Sequence, residues 1–256
     1  MLLAMDVGNS NIKVGLFEGK KLISSFRIAT NADRSSDEYG LLIIHFLNYL
    51  NREASEIKGV IIATVQPKLR YTLDRMTHTF FHCHPLFVSY QMNLGMELRY
   101  DSLKTLGADR IANAVAGYEL YGGQGGACIT VDFGTATTFG VISEDGVFLG
   151  GSIAPGIRSA SEALTDRAAQ LRQFNFAKPD HVLATNTIEA MQAGVMYGFA
   201  GLADNILAKL KMEVGPAFVV ATGGLSDVIA GDTHHINTVD KLLTLKGLQL
   251  IYEKNC

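Results

Sequence analysis

Residues 128–153 read CITVDFGTATTFGVISEDGVFLGGSI. An apolar run ends in Asp132 and, two residues later, Gly134. A turn of small polar residues follows, then two more apolar runs separated by a turn at Gly146. The chain opens on the same theme. In LLAMDVGNSNIKVGLFEGKK (2–21) the first run ends in Asp6 and Gly8, and the later turn carries Gly19. Asp132 follows Asp6 by 126 residues (132 minus 6), close to half of a 256-residue chain. One such segment is an ordinary β-hairpin, because Gly, Asn and Ser supply turn conformations cheaply. The alternative is a phosphate site, in which the turn aims backbone N–H groups at an anion while the carboxylate handles a metal. The repetition favours the second reading, since it implies two related halves built around equivalent turns.

Working outward, the pattern predicts strands at 2–7, 11–17 and 21–28. A helix from about Ser36 to Leu50 follows, opened by a capping box of Ser35 and Glu38. KGVIIATV (58–65) has the continuous β-branched character of a strand buried on both faces, and Pro67 suits the first position of a helix. Residues 86–89 make a short strand, 90–106 a long irregular segment, and GADRIANAVAGYELY (107–121) a helix with Ile111, Ala114, Val115 and Tyr118 at helical spacing. After the second triple of strands come helices at 156–172 and 187–211, a strand at 217–222, and short helices near 224–230 and 241–253. The expected fold is α/β, with two βββαβαβ-type halves around a cleft, divided as 1–115 and 116–256. No linker or low-complexity segment separates them.

Composition narrows the function. The chain is 48% hydrophobic and 18% charged, which supplies a large core and argues against disorder. A net charge of −3 with no basic stripe argues against a nucleic-acid surface. Apolar runs such as GVIIATV fall far short of a bilayer span, and Asp6 interrupts any signal peptide of ordinary shape. Cys83, Cys128 and Cys256 are odd in number and widely spaced, as suits a reducing compartment. A cytoplasmic protein without membrane or nucleic-acid partners is expected.

Six motifs carry a family resemblance: DVGNSNIK (6–13), GADRIAN (107–113), DFGTATT (132–138), GGSIAPG (150–156), NTIEAMQAG (186–194) and ATGG (221–224). The chain resembles the duplicated actin-like ATPase (ribonuclease H-like) fold of actin, Hsp70 and the sugar kinases, and within it the type III pantothenate kinases. The resemblance implies ATP-dependent phosphorylation of pantothenate at its 4′-hydroxyl, the first step of coenzyme A biosynthesis. It implies ATP contacts at Asp6, Val7, Gly8, Asn9, Ser10, Asn11, Ile12, Lys13 and Thr135. Asp6 would serve Mg²⁺, directly or through water, and Asp132 a monovalent cation, K⁺ or NH₄⁺. The pantothenate pocket would take Tyr100, Gly107, Ala108, Asp109, Arg110 and Thr187, with Asp109 accepting the hydroxyl proton. Gly223 and Gly224 would let the backbone approach the adenosine. A homodimer is also implied. One departure stands in DRAAQLRQFNFAKPD (166–180), where no proline follows Leu171, although family members commonly carry a Thr-Ala-x-Leu-Pro-like run.

The residue types give this chemistry a physical basis and also a plainer alternative. Phosphoryl transfer needs charge neutralisation, in-line positioning and an acceptor for the hydroxyl proton. Asp109 with Arg110 can provide a base and a planar fork for a carboxylate, or can be a helix-start acid beside an arginine. Tyr100 alone is a loop aromatic and Thr187 alone a helix-start residue. HTFFHCHP (78–85) lacks a second cluster to complete a tetrahedral metal site and reads as a helix end. GLFEGKK (15–21) has neither the spacing nor the Ser or Thr of a Walker motif, and GGQGG (122–126) reads as a turn. Gly194, Gly198, Ala200, Gly201 and Ala203 would let another helix approach closely, consistent with a C2 pair. Two rivals remain at this level: a transcriptional accessory protein of the same family, and a kinase of the same fold for another small hydroxy acid. The Asp6, Asp109, Asp132 and Thr135 set discriminates against the first, because a regulator has no physical need of all four.

Overall fold

A computed structural model describes residues 1–123, 126–167 and 174–256. The end of the helix expected over 156–172, the missing proline after Leu171 and part of the 122–126 turn lie outside the described residues. The elements in chain order are β1 (Leu2–Val7), β2 (Asn11–Glu18), β3 (Lys21–Ala29), α1 (Ser36–Tyr49), β4 (Gly59–Thr64), α2 (Leu69–Phe81), β5 (Leu86–Phe87), β6 (Glu97–Leu98) and α3 (Ala108–Tyr121). They continue with β7 (Ala127–Phe133), β8 (Ala136–Ile142), β9 (Val147–Pro155), α4 (Ile157–Arg167), α5 (Thr187–Val214), β10 (Ala217–Gly223), α6 (Ser226–Ala230), β11 (Thr238–Val239) and α7 (Leu243–Asn255).

The duplication is plain in the pairing. One sheet runs β3-β2-β1-β4-β5 and the other β9-β8-β7-β10-β11, with β6 added beyond β9. Each has two antiparallel pairs, β1/β2 with β2/β3 and β7/β8 with β8/β9. Each then has two parallel pairs, β1/β4 with β4/β5 and β7/β10 with β10/β11. Even the register shift recurs, at Leu16/Phe17 and at Val141/Ile142.

Alternation along the strands sorts each sheet into two faces. In the first, Leu3, Met5 and Val7 join Ile12, Val14, Leu16, Val60 and Ile62 in a core closed by Ile43 and Leu47 of α1 and Leu73 and Met76 of α2. In the second, Ile129, Val131 and Phe133 join Phe139, Val141, Val219 and Ala221 under Val195, Met196, Ala203 and Leu207 of α5. Asp6 and Asp132 lie on the opposite faces, out of register with these cores.

Two compact units emerge: Met1–Met96 with Asp101–Ala116 and Leu243–Cys256, and Glu97–Tyr100 with Gly117–Leu242. The sequence division put 116–256 together, yet α7 packs on β1, β2 and β4 of the first unit. Smaller differences are local. Ser35 and Glu38 form the expected capping box, with Ser35 N–H donating to Glu38 Oε2 at 2.8 Å and Glu38 N–H to Ser35 Oγ at 3.2 Å. The Ser35 N–H and the Ser35 hydroxyl both donate to the Glu38 carboxyl and hold its pKa below the ordinary value. Pro67, however, occupies a turn, where its carbonyl accepts the Arg70 N–H, and the helix starts at Leu69. The segment 90–106, expected to be irregular, contains β6, whose two residues pair parallel with β9. Among the described residues no helix is long and apolar enough to cross a membrane.

Candidate active site

In the first unit, β1 delivers Asp6 to the sheet end as a buried carboxylate. It sits between Ala63 of β4 and Lys13 of β2 in the strand register, and Lys13 Nζ lies 3.5 Å from Asp6 Oδ2. The turn from Gly8 to Asn11 is closed by Gly8 N–H donating to the Asn11 carbonyl at 3.1 Å. Three residues outside it fix its shape. Thr30, just past β3, donates from Oγ1 to the Gly8 carbonyl at 2.8 Å and from N–H to the Ser10 carbonyl at 3.1 Å. Gln66 Nε2 donates to Asn9 Oδ1 at 2.6 Å, and Val65 N–H to the Val7 carbonyl at 3.1 Å. A trans peptide opposes its C=O and N–H. The Gly8 carbonyl turned toward Thr30 therefore leaves the Asn9 N–H facing the other way, as an anion-binding turn requires.

The same unit holds the start of α3. Gly107 precedes it, Ile111 N–H donates to the Gly107 carbonyl at 3.1 Å, and Asp109 Oδ1 accepts the Arg110 N–H at 2.8 Å. Arg110 is buried. Asp109 thus sits in the first turn of α3, held on a rigid helix start.

In the second unit, Asp132 lies one residue before the end of β7, between Thr222 of β10 and Thr138 of β8. Its turn is one residue shorter. Gly134 N–H donates to the Ala136 carbonyl at 3.1 Å, and Ser159 Oγ of α4 donates to the Thr135 carbonyl at 2.9 Å. Gly156, just before α4, packs so tightly that a Cβ there would collide with the carbonyl oxygens of Gly134 and Thr135. The N-terminus of α4 thus lies against the turn, adding a positive dipole end beside Thr135. Gly223 has φ of +102°, and its backbone lies against Phe133, so no side chain fits there. Tyr100 follows β6 and its ring lies 6.2 Å from that of Phe148. Thr187 is the exposed first residue of α5, capped by Asn186 Oδ1 accepting the Glu189 N–H at 3.0 Å. The adjacent Ile188 lines a cavity of about 470 Å³ with Arg158, Phe174, Asn175, Phe176 and Gln192.

The fold therefore gathers Asp6 to Lys13 and Gly107 to Arg110 in one unit, and Tyr100, Asp132, Thr135, Thr187 and Gly223 in the other. No local signal marks Thr30, Gln66 or Ser159, which reach their turns from 20 or more positions away. Thr138 and Thr222 stood inside the quoted motifs DFGTATT and ATGG but were passed over for their neighbours. The cysteines stay outside this chemistry: burial pushes the Cys128 thiol up to about 12, and its Sγ donates to the Gly117 carbonyl at 3.3 Å. His78 and His84 rings are 5.5 Å apart, but among the described residues no group of three His, Cys, Asp or Glu converges.

A family model described as type III pantothenate kinase matches residues 2–209. A type III pantothenate kinase of Geobacillus kaustophilus (strain HTA426) is 44% identical over all of this chain and 98% of its own length. Among solved structures, a Campylobacter jejuni protein described as a Baf family transcriptional activator matches with a TM-score of 0.62 at 23% identity, over 98% of this chain and 97% of that one. An inorganic polyphosphate/ATP-glucomannokinase from Arthrobacter sp. strain KM matches with a TM-score of 0.52 at 15% identity, over 98% and 97%. At such identities these two structures speak to the fold alone, which is that of the actin-like ATPases and sugar kinases.

Proposed function

The chain belongs to the type III pantothenate kinase family, and on that premise we propose that it transfers the γ-phosphoryl group of ATP to the 4′-hydroxyl of pantothenate, opening coenzyme A biosynthesis. It is a kinase with an alcohol acceptor. The observation that carries the assignment is the pair of topologically equivalent strand-end turns, each with an aspartate and a small-residue loop.

In this reading the first turn, from Asp6 to Lys13, and Thr135 in the second hold the ATP phosphates through backbone N–H groups and small side chains. Asp6, whose Oδ2 already faces Lys13, suits a hydrated magnesium reached through water. Magnesium on the phosphates supplies charge neutralisation. Asp132 suits a monovalent cation, because its two strand neighbours are neutral hydroxyl residues rather than a lysine. Asp109 accepts the proton of the attacking hydroxyl. Arg110 offers a fork for the pantothenate carboxylate, and Gly107, Ala108, Tyr100 and Thr187 complete the acceptor contacts. Gly223 and Gly224 allow backbone approach to the adenosine.

We also assign a homodimer. Gly194, Gly198 and Gly201 form an exposed stripe on α5 with open space above each, and Leu183 and Val182 nearby in sequence are 89% and 66% exposed. An active monomer by light scattering at assay concentration would exclude this. The enzyme is assigned to the cytoplasm, acting on free small molecules without nucleic-acid or membrane partners. A coupled ADP-release assay over a panel of small alcohols tests the activity itself. Release dependent on pantothenate is expected, whereas release with another hydroxy acid and not pantothenate would overturn the assignment.

A further inference from the structure

Thr222 is fully buried, and its hydroxyl oxygen has no hydrogen-bond partner. A buried hydroxyl left unmet is uncommon and costly, and each case asks for a cause. Thr222 stands directly beside Asp132 in the parallel β10/β7 register, and Thr138 stands directly opposite Asp132 in the antiparallel β7/β8 register. Residues so paired share a sheet face, with Cβ atoms roughly 4.5–5.5 Å apart across an antiparallel pair. The alternation agrees: Val131, Phe133, Phe139 and Ala221 belong to the α5-side core, which leaves Asp132, Thr138 and Thr222 on the other face. Three oxygen-bearing side chains therefore form one row, with the carboxylate in the middle.

The equivalent row in the first unit is Ala63, Asp6 and Lys13. There a lysine compensates the carboxylate and the third position carries no polar atom. The second row offers neutral oxygens in both places, the donor set that a hard cation prefers. We propose that Thr222 is a ligand of the monovalent cation held by Asp132. The cation then sits between a carboxylate and a hydroxyl of neighbouring parallel strands. This rests on the assignment of Asp132 to a monovalent cation and goes beyond it by naming a neutral ligand.

The test reads binding, not turnover. Affinity for magnesium AMPPNP is measured by calorimetry on the full chain, titrating potassium chloride against tetramethylammonium chloride at constant ionic strength. The potassium concentration that half-restores nucleotide affinity should rise roughly tenfold in Thr222→Val, and stay near wild type in Thr222→Ser, which keeps the oxygen. Thr222→Cys keeps the size and exchanges oxygen for sulfur, so it should raise the preference for thallium(I) over potassium. Asp132→Asn should abolish the potassium effect. If Asp132→Asn abolishes it while folded Thr222→Val and Thr222→Cys match wild type, Thr222 is no ligand and the Asp132 assignment stands. If Asp132→Asn keeps the wild-type potassium response, the Asp132 assignment falls and takes Thr222 with it.

Discussion

The turn after β1 and the turn after β7 occupy the same place in the same strand order, yet they are held in different ways. The first is long enough to need anchors on both flanks, Thr30 beyond β3 and Gln66 beyond β4. The second is a residue shorter and leans on a helix start, through Ser159 and the close approach of Gly156. The strand-register neighbours differ too, with Lys13 opposite Asp6 and threonines on either side of Asp132. Duplication has preserved the backbone path and released the side chains. An anion site built from backbone N–H groups tolerates this, because what it requires is peptide orientation, and different side chains can fix that orientation.

The largest effect should come from outside both turns. Asp109→Asn removes the proposed base while keeping size and polarity, so turnover should fall roughly 10²–10⁴-fold, near the lower end if proton removal is late. Nucleotide affinity by calorimetry should stay near wild type. A matching loss of nucleotide affinity would break the separation between turns that bind and a helix start that reacts.

Gly156→Ala comes next. The new methyl group meets backbone carbonyls that cannot rotate away, so the second turn must shift, at roughly 1–3 kcal/mol. Gly8→Ala meets only the Asn11 carbonyl at 3.1 Å, and thermal melts should rank it the milder change. The reverse order would mean that the first turn is the more tightly packed.

Thr138→Lys copies the first unit's lysine into the second. An ammonium opposite Asp132 should replace the monovalent cation, bringing rates in sodium and potassium buffers to within about twofold of each other, as a permanent positive neighbour requires. An undiminished potassium requirement would show that the lysine and the cation are not equivalent.

The smallest changes concern the anchors. Thr30→Val strips a donor from the Gly8 carbonyl and should raise the KM for ATP about fivefold, near 1 kcal/mol, with the KM for pantothenate unchanged and Thr30→Ser restoring it. Ser159→Ala should cost about half as much, since the Ser159 hydroxyl bond is the more exposed of the two.

Much of this was legible in sequence. The repeat of Asp-x-Gly after an apolar run gave the duplicated fold, and Ser35 with Glu38 marked the start of α1, because both signals are local. The parts that were not legible depend on long-range pairing. β6 has two residues and exists only by pairing with β9, so no periodicity could reveal it. Pro67 suits a turn as well as a first helical turn, and the hydrogen bonds around Gln66 decide between them. Thr30, Gln66 and Ser159 carry no motif, and their role arises only when strand order brings them to the turns. Asp109 was legible as a motif, yet its geometry with Arg110 leaves base and helix-start acid to be separated by kinetics.

The packing of α7 sets an order of events during synthesis. Leu243, Leu245, Leu248 and Ile251 are at most 2% exposed, and their helix lies on β1, β2 and β4. A ribosome delivers those strands well before the helix. Until α7 has been made, the sheet that carries Asp6 keeps one apolar face open, and a chain stalled before Leu243 presents that face to chaperones and proteases.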